Sequence, residues 1–390
     1  MDGPAEAVVD LAAISGNVAA LRSRISGPQL MAVVKADGYG HGMLPAARAA
    51  LAGGAHWLGV VHVAEALALR LEGIGSRVLA LTGVPGVAHE AAIRAGIDLS
   101  VDSVPLLTEI AAAGAAAGQP ARVHLKADTG MARGGATPAD WPALVAAALA
   151  AQAAGTVTVT GVWSHLACAD IPGHPSIDAQ LASFTEAVER AEAAGAQPEV
   201  RHLANTAAAL TRPDTWFDLV RPGGAVYGLA TLPGGAPGWL RPAMTVRTRL
   251  VLAKRVPAGT AVSYGHRYAT RGESTLGLIP VGYAEGIPRQ ASGVVEVHAR
   301  GRRWRIAGTV CMDLSVLDFA AEPAAAGDEV VLFGPGDAGE PTAQEWADAL
   351  GTVSYEIVTN FAGLLPRTYS GVAYGQDQQR AADPVTGPRA

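Results

Sequence analysis

Between residues 31 and 224, short apolar, β-branched runs alternate with alanine-rich stretches of helical length. This alternation limits the fold more than any other feature of the chain. Eight strand candidates can be read: residues 31–35, 56–61, 77–82, 98–102, 122–127, 157–164, 200–203 and 218–221. Helical segments such as 63–72, 104–117, 141–154 and 177–194 lie between most of them, often ending at glycine. Runs that are apolar throughout fit strands covered on both faces, and β-then-α order makes neighbouring strands parallel. Eight such units in about 200 residues suit a closed (β/α)8 barrel. An open doubly wound sheet also fits the alternation. No strand is followed by a GxGxxG turn, however, which weakens the dinucleotide-binding form of that alternative.

A barrel demands that catalytic groups sit at the C-terminal ends of its strands. The unusual polar residues do fall there. Lys35 ends the first strand, Lys126 and Arg133 follow the fifth, and His165 ends the sixth. Asn205 and Thr206 follow the seventh, and Arg221 ends the eighth. The first of these stretches, MAVVKADGYGHG, runs from a buried-type strand into a lysine and then into glycines that permit close backbone approach to a ligand. Burial depresses a lysine pKa and makes the amine a better nucleophile or base, as a Schiff-base lysine requires. Taken alone, Lys35 equally fits a lysine that snorkels to solvent at a strand end.

The segment 229–242 is dense in proline and glycine and reads as a link. Beyond it, residues 244–254, 274–280, 294–298, 304–307, 314–319 and 329–333 are β-rich runs without long helices between them. Ala299-Arg-Gly-Arg302 reads as a hairpin turn, and Thr342 with Glu345 as a capping box opening a helix over 343–350, with a second around 353–361. The expected organisation is α/β. A TIM-like barrel over 10–232 precedes a mostly-β C-terminal domain over 240–375, with residues 1–9 a candidate addition to the latter and 376–390 a flexible tail. Two domains also follow from 390 residues, since single cores stop growing near ~250–300.

A net charge of −6 without a basic cluster argues against nucleic acid. The one basic knot, RGRRWR at 300–305, belongs to the hairpin and reads as surface decoration. No signal peptide, membrane span or metal-type cysteine spacing is expected, and two cysteines suggest reduced thiols in the cytoplasm.

The stretch VVKADGYGHG closely resembles the pyridoxal-phosphate (PLP) lysine motif of alanine racemases, fold-type III PLP enzymes. KADTGMARGG, HLANTAAAL, RPGGAVYG, VSYGHRY, PVGYAEG and GTVCMD resemble the same family in the same order, over nearly the whole chain. The resemblance implies PLP as cofactor and the interconversion of L- and D-alanine through an external aldimine, supplying D-alanine for peptidoglycan. It also implies two catalytic bases, Lys35 and Tyr264, on opposite faces of a planar intermediate.

The same resemblance distributes the remaining tasks. Thr206, where the family usually has Ser, Gly223, Gly224 and the hydroxyls of Tyr39 and Tyr355 become phosphate ligands, beside Asn205. From the residues alone, Thr206 also fits an ordinary helix N-cap and Gly223-Gly224 a tight turn. Arg221 is implied to face the pyridine nitrogen. A guanidinium only donates, so that nitrogen would stay unprotonated. His165 would hold Arg221, and the pair would stabilise the Tyr264 phenolate; alone, His165 fits a satisfied core histidine and Tyr264 a packed strand aromatic. Arg133 would contact the cofactor's phenolic oxygen and the substrate carboxylate. Lys126 would be carbamylated to steady it, although a solvated strand-end lysine fits equally. Ala132 stands where the family has Gly.

Tyr264, Tyr283 and Met312 would come from the partner in a head-to-tail homodimer, the last two narrowing the entrance for a small amino acid. A broad-specificity or serine racemase is a variant of this reading. A fold-type III decarboxylase shares the plan but wants a carboxylate where Arg221 stands, and a PLP-carrier barrel would lack the domain holding Tyr264.

Overall fold

The computed structural model describes residue 3 and residues 5–371, so the tail expected from 376 lies outside the described residues. The chain opens with strand β1 (Ala5–Asp10). Asp10 then caps helix Leu11–Arg24 by accepting from the amides of Ala12 at 2.9 Å and Ala13 at 3.1 Å. Eight parallel strands follow: β2 (Gln29–Val33), β3 (Trp57–Val60), β4 (Arg77–Ala80), β5 (Asp98–Val101), β6 (Ala121–Lys126), β7 (Val157–Trp163), β8 (Val200–His202) and β9 (Leu219–Val220). Each of β2 to β7 pairs with the next, and β9 pairs back onto β2. The seam between β8 and β9 is closed by Asp218 N–H donating to Arg201 O and Arg221 N–H donating to Ala204 O, both at 3.0 Å. The barrel expected from the alternation is present.

Within these uniformly apolar strands the period of two decides the layers. Met31, Trp57, Leu79, Val200 and Leu219 form one buried cluster inside the barrel. Their neighbours Leu30, Ala32, Leu58, Val60, Val78 and Ala80 belong to the core shared with the surrounding helices.

Two expected strand limits are corrected. The first barrel strand ends at Val33 rather than at 35, because the chain turns left-handed from Ala36. The run expected over 244–254 is two strands, β10 (Met244–Arg249) and β11 (Leu252–Val256), which belong to different sheets. At the break Leu250 is buried and its amide donates to Asp328 O at 2.9 Å, re-aiming the chain.

The β-rich region continues with β12 (Ala261–Val262), β13 (Tyr268–Ala269), β14 (Ser274–Ile279), β15 (Glu296–Ala299), β16 (Arg302–Arg305), β17 (Ser315–Asp318), β18 (Glu329–Phe333) and β19 (Arg367–Ser370). One sheet has the order β16-β15-β18-β10-β1-β19, so the first strand of the chain is an interior strand of the C-terminal sheet. A second sheet has the order β11-β14-β17. Arg300 and Gly301, with φ of 53° and 78°, make the two-residue hairpin between β15 and β16. Helix Ala343–Leu350 carries the expected capping box: Glu345 N–H donates to Thr342 Oγ1 at 3.1 Å, and Thr342 N–H to Glu345 Oε2 at 2.6 Å. Helix Ser354–Asn360 follows. No helix among the described residues is long and apolar enough to cross a membrane.

Candidate active site

Lys35 stands at the barrel mouth, half-buried, at the start of an unusual turn. Ala36, Asp37, Gly38 and Tyr39 have φ of 51°, 54°, 63° and 53°. Three of the four are not glycine, and each non-glycine residue in the left-handed region costs roughly 1–2 kcal/mol. Surrounding contacts hold the strained turn. Ala36 N–H donates to Glu65 Oε1 at 2.9 Å, and Met43 N–H to Asp37 Oδ1 at 2.8 Å. The Asp37 carboxylate also pairs with Arg367 at 2.5 Å, and Tyr227 donates its hydroxyl to Val33 O at 3.2 Å. Burial pulls the Lys35 ammonium below its ordinary pKa, and the Arg133 guanidinium adds to the fall, opposed by Glu65. The amine is thereby moved toward its nucleophilic form.

A second group of side chains converges on Gly223 and Gly224. A Cβ on Gly223 would lie 2.2 Å from the Tyr39 hydroxyl, and one on Gly224 would lie 2.4 Å from the Tyr355 hydroxyl. Only glycine lets both phenols approach the backbone so closely. Thr206 Oγ1 accepts from Gly223 N–H at 2.8 Å, which revises two local expectations. The cap of helix Thr206–Thr211 is Asn205, whose Oδ1 accepts from Ala208 N–H at 3.2 Å, and Thr206 is the first helical residue. The Gly223 amide, expected as a phosphate ligand, is correspondingly engaged by a hydroxyl. Burial raises the pKa of both Tyr39 and Tyr355, so both phenols remain donors at neutral pH.

Arg221 is buried just beyond β9. It donates to Ser164 O at 2.7 Å, Leu203 O at 3.0 Å and His202 Nδ1 at 3.0 Å, and lies 3.4 Å from His165 Nδ1. Among the described residues no carboxylate pairs with it. Burial alone pulls its guanidinium down to about 9, still protonated at neutral pH. Burial, with Arg221 next in size, holds His165 far below its ordinary pKa, so its ring is neutral. Two cations lie over the Trp163 ring, Lys126 Nζ at 4.6 Å and the Arg221 guanidinium at 4.9 Å from its centroid. His202 and Trp163 escaped the sequence reading. Histidine in a short apolar strand carries no periodic signal, although His202 stands within the motif HLANTAAAL.

The loop bearing Arg133 is shaped by Asp128, whose Oδ1 accepts from the amides of Gly130 at 3.0 Å, Met131 at 3.1 Å and Ala132 at 3.1 Å. Ala132, standing where the family has Gly, takes a left-handed φ of 53°, so the glycine preference has a backbone cause. Arg133 is exposed on this loop. Lys126 lies beneath it, its pKa lowered by burial and by Arg133 and Arg221, with Asp102 opposing.

The family model for "Alanine racemase, N-terminal domain" matches residues 9–231, and that for "Alanine racemase, C-terminal domain" matches 243–369. The chain belongs to the alanine racemase family. It is 58% identical to the alanine racemase of Salinispora arenicola over 94% of this chain and 98% of that one. Identity to the alanine racemase of Thermobifida fusca is 56%, over 95% and 99%. The crystal structure of alanine racemase from Streptomyces lavendulae superposes with a TM-score of 0.92 at 52% identity, covering 94% of this chain and 97% of that one.

Alanine racemases are PLP-dependent, and the residues at this barrel mouth fit that cofactor. The two glycines leave a cradle lined by the hydroxyls of Tyr39, Tyr355 and Thr206, suited to a phosphate. Lys35 supplies an amine of lowered pKa, and Arg221 a donor without a carboxylate partner.

Tyr264, Tyr283 and Met312, expected at the same site, lie on the β-rich region and are exposed by 71%, 42% and 54%. They form one patch. Tyr283 N–H donates to Cys311 O at 3.0 Å, and Ala284 N–H to Met312 O at 2.9 Å. Thr309 Oγ1 donates to Tyr264 O at 2.8 Å. Ser263, immediately before the tyrosine, has φ of 62° and is held by its Oγ donating to Thr309 O at 2.5 Å.

Proposed function

We propose that the chain is a PLP-dependent racemase that interconverts L- and D-alanine with two bases, Lys35 and Tyr264. The observation that carries this reading is one barrel rim bearing both a lysine of lowered pKa and a buried arginine without a carboxylate partner among the described residues.

Bound there, PLP supplies an aldehyde that condenses with amines and a ring that withdraws electrons from the substrate Cα. Tyr39, Tyr355 and Thr206 would hold its phosphate with neutral hydroxyls beside Gly223 and Gly224. Arg221 would donate toward the ring nitrogen and leave it unprotonated, which would restrain electron withdrawal and suit a reaction that returns the proton. His165, neutral and against Arg221, accepts from it and keeps it in place. Lys35 moves the Cα proton on one face. Arg133 orients the substrate carboxylate. Lys126, carrying one CO2, steadies Arg133 and offsets the surplus of cations around Trp163.

The second base completes the site from another copy. Tyr264, Tyr283 and Met312 form an exposed apolar patch, while among the described residues Lys35 is the one base assigned at the barrel mouth of the same chain. Two copies packed head to tail would bring each patch to the other's mouth, with Tyr283 and Met312 limiting the side chain to about a methyl. A cytoplasmic setting suits the two free cysteines, Cys168 and Cys311.

Borohydride reduction of the holoenzyme followed by peptide mapping is expected to label Lys35, and a label on another lysine refutes the assignment. A panel of single-enantiomer amino acids, followed by loss of optical rotation, is expected to show alanine turned over fastest. Equal rates on serine would instead make the enzyme a broad-specificity racemase, and CO2 release would make it a decarboxylase. Intact mass larger by one CO2, lost on acidification and on Lys126→Ala, checks the carbamate.

A further inference from the structure

A line of buried polar groups runs through the barrel from mouth to base. Arg221 donates to His202 Nδ1 at 3.0 Å, His202 Nε2 lies 2.9 Å from His124 Nδ1, and His124 Nε2 lies 3.0 Å from Asp98 Oδ2. All four residues are buried. Asp98 opens β5 and therefore stands at the base, where Arg77 at 2.7 Å and Arg122 at 2.9 Å also bind its carboxylate. Glu199 joins those two arginines at 2.7 Å and 3.0 Å.

The ends of this line permit only one arrangement of protons. Guanidinium donates and never accepts, and carboxylate accepts and never donates. His202 Nδ1 must therefore be bare, its Nε2 must carry the hydrogen, and that hydrogen must meet a bare Nδ1 on His124. The His124 hydrogen then lies on Nε2, facing Asp98. An added proton on either ring would set N–H against N–H within 3.0 Å.

The backbone is also shaped around this line. The β6–β7 pairing slips between Val123 and His124, so that His124 faces Gly161 and Thr160 is the extra residue. A Cβ on Gly161 would fall 2.2 Å from His124 Nδ1. A bulge and a glycine together make room for an imidazole in the middle of a barrel strand.

We propose that Asp98 and His124 are positioning residues for Arg221: from the base of the barrel they fix the tautomer of His202 and so give the arginine a neutral acceptor. Arg221 thus keeps an uncancelled charge aimed at the mouth, while the nearest carboxylate in the line is two imidazoles away. The functional part of this proposal rests on Arg221 facing the cofactor ring; the tautomers do not.

Neutron diffraction from deuterated holoenzyme crystals tests the tautomers. Deuterium is expected on Nε2 of both His124 and His202 and on Nδ1 of neither, and deuterium on either Nδ1 overturns the proposal. The role is read from His124→Phe, which removes the acceptor for His202, and from His124→Gln, whose amide can accept from His202 and donate to Asp98. His124→Phe is expected to retain PLP, shift its visible band, and lower kcat roughly tenfold or more with KM moved less than about twofold. His124→Gln is expected to restore most of kcat and the band. Wild-type kcat and spectrum in His124→Phe overturn the role; if that variant does not fold, a shifted band and lowered kcat in folded His124→Gln overturn it instead, and the wild-type neutron map still decides the tautomers. Failure of the cofactor reading has a different signature: Arg221→Gln would leave the visible band unmoved, which ends the role without touching the tautomers.

Discussion

At the scale of single residues, the site depends on which atoms are left out as much as on which are present. Gly223 and Gly224 matter because Tyr39 and Tyr355 occupy the space a Cβ would take. Gly224→Ala is expected to displace the Tyr355 ring and weaken PLP retention more than Tyr355→Phe, which removes one hydroxyl and no volume. Equilibrium dialysis of apoenzyme with PLP gives both numbers, and equal affinity for Gly224→Ala and wild type would refute the cradle. Tyr264 shows the opposite case, a reactive group presented with nothing yet around it. Tyr264→Phe is expected to abolish turnover chiefly in the L-to-D direction while PLP stays bound; unchanged rates in both directions would remove it as a base. The sequence marked Tyr39, Gly223, Gly224 and Tyr264 through their motifs. It could not mark His202 and Trp163, which act through what they touch across the barrel.

At the scale of elements, the left-handed turn from Ala36 to Tyr39 explains why Lys35 points where it does. A strand running two residues further would have alternated its side chains between the barrel interior and the helices. Instead the chain leaves the sheet at Val33, and Glu65 holds the new direction by accepting from three amides: Ala36 at 2.9 Å, Val61 at 2.9 Å and His62 at 3.0 Å. Glu65→Ala is expected to lose about 1–3 kcal/mol of stability in urea titrations, since those donors lose a charged acceptor. The same change removes the carboxylate that opposes the low pKa of Lys35, so that pKa should fall further. A variant as stable as wild type with an unmoved Lys35 titration would show that the turn stands without Glu65. The glycines of KADGYGHG announced a turn, but its handedness came from contacts with Glu65 and Arg367, far away in sequence.

At the scale of the whole molecule, three histidines, His41 and His202 buried and His165 half-buried, tie folding to pH. Burial holds His41 down at about 4, and holds His165 and His202 well below 6.5, their ordinary value. In the unfolded chain each takes up a proton near 6.5; in the folded chain it does not until lower pH. The unfolded state thus binds more protons below about 6.5, and stability falls there by up to about 1.4 kcal/mol per pH unit for each ring. Urea midpoints are expected to be flat from pH 8 to 7 and to drop steadily from 6.5 to 5; a level profile to pH 5 would contradict the burial of these rings as neutral groups. Assembly is tested by mixing inactive Lys35→Ala with inactive Tyr264→Phe. Sites shared between copies should regain activity in the mixed dimer, and no recovery after demonstrated subunit exchange would count against the head-to-tail arrangement.

The alternation of apolar runs and alanine-rich helices determined the barrel, because each unit is a local pattern whose period is readable from adjacent residues. The same holds for the capping box at Thr342, the hairpin at Arg300-Gly301, and the motifs that place Lys35, Arg221 and Tyr264 in the alanine racemase family. Tertiary structure alone decided which face of each uniformly apolar strand looks inward, since both faces read alike in sequence. It also decided that the first strand, already a candidate for the C-terminal domain, lies between β10 and β19, that Asn205 rather than Thr206 caps its helix, and that Asp98 reaches Arg221 through two imidazoles. Each of these depends on residues brought together by the closed barrel, and separation along the chain carries no record of such meetings.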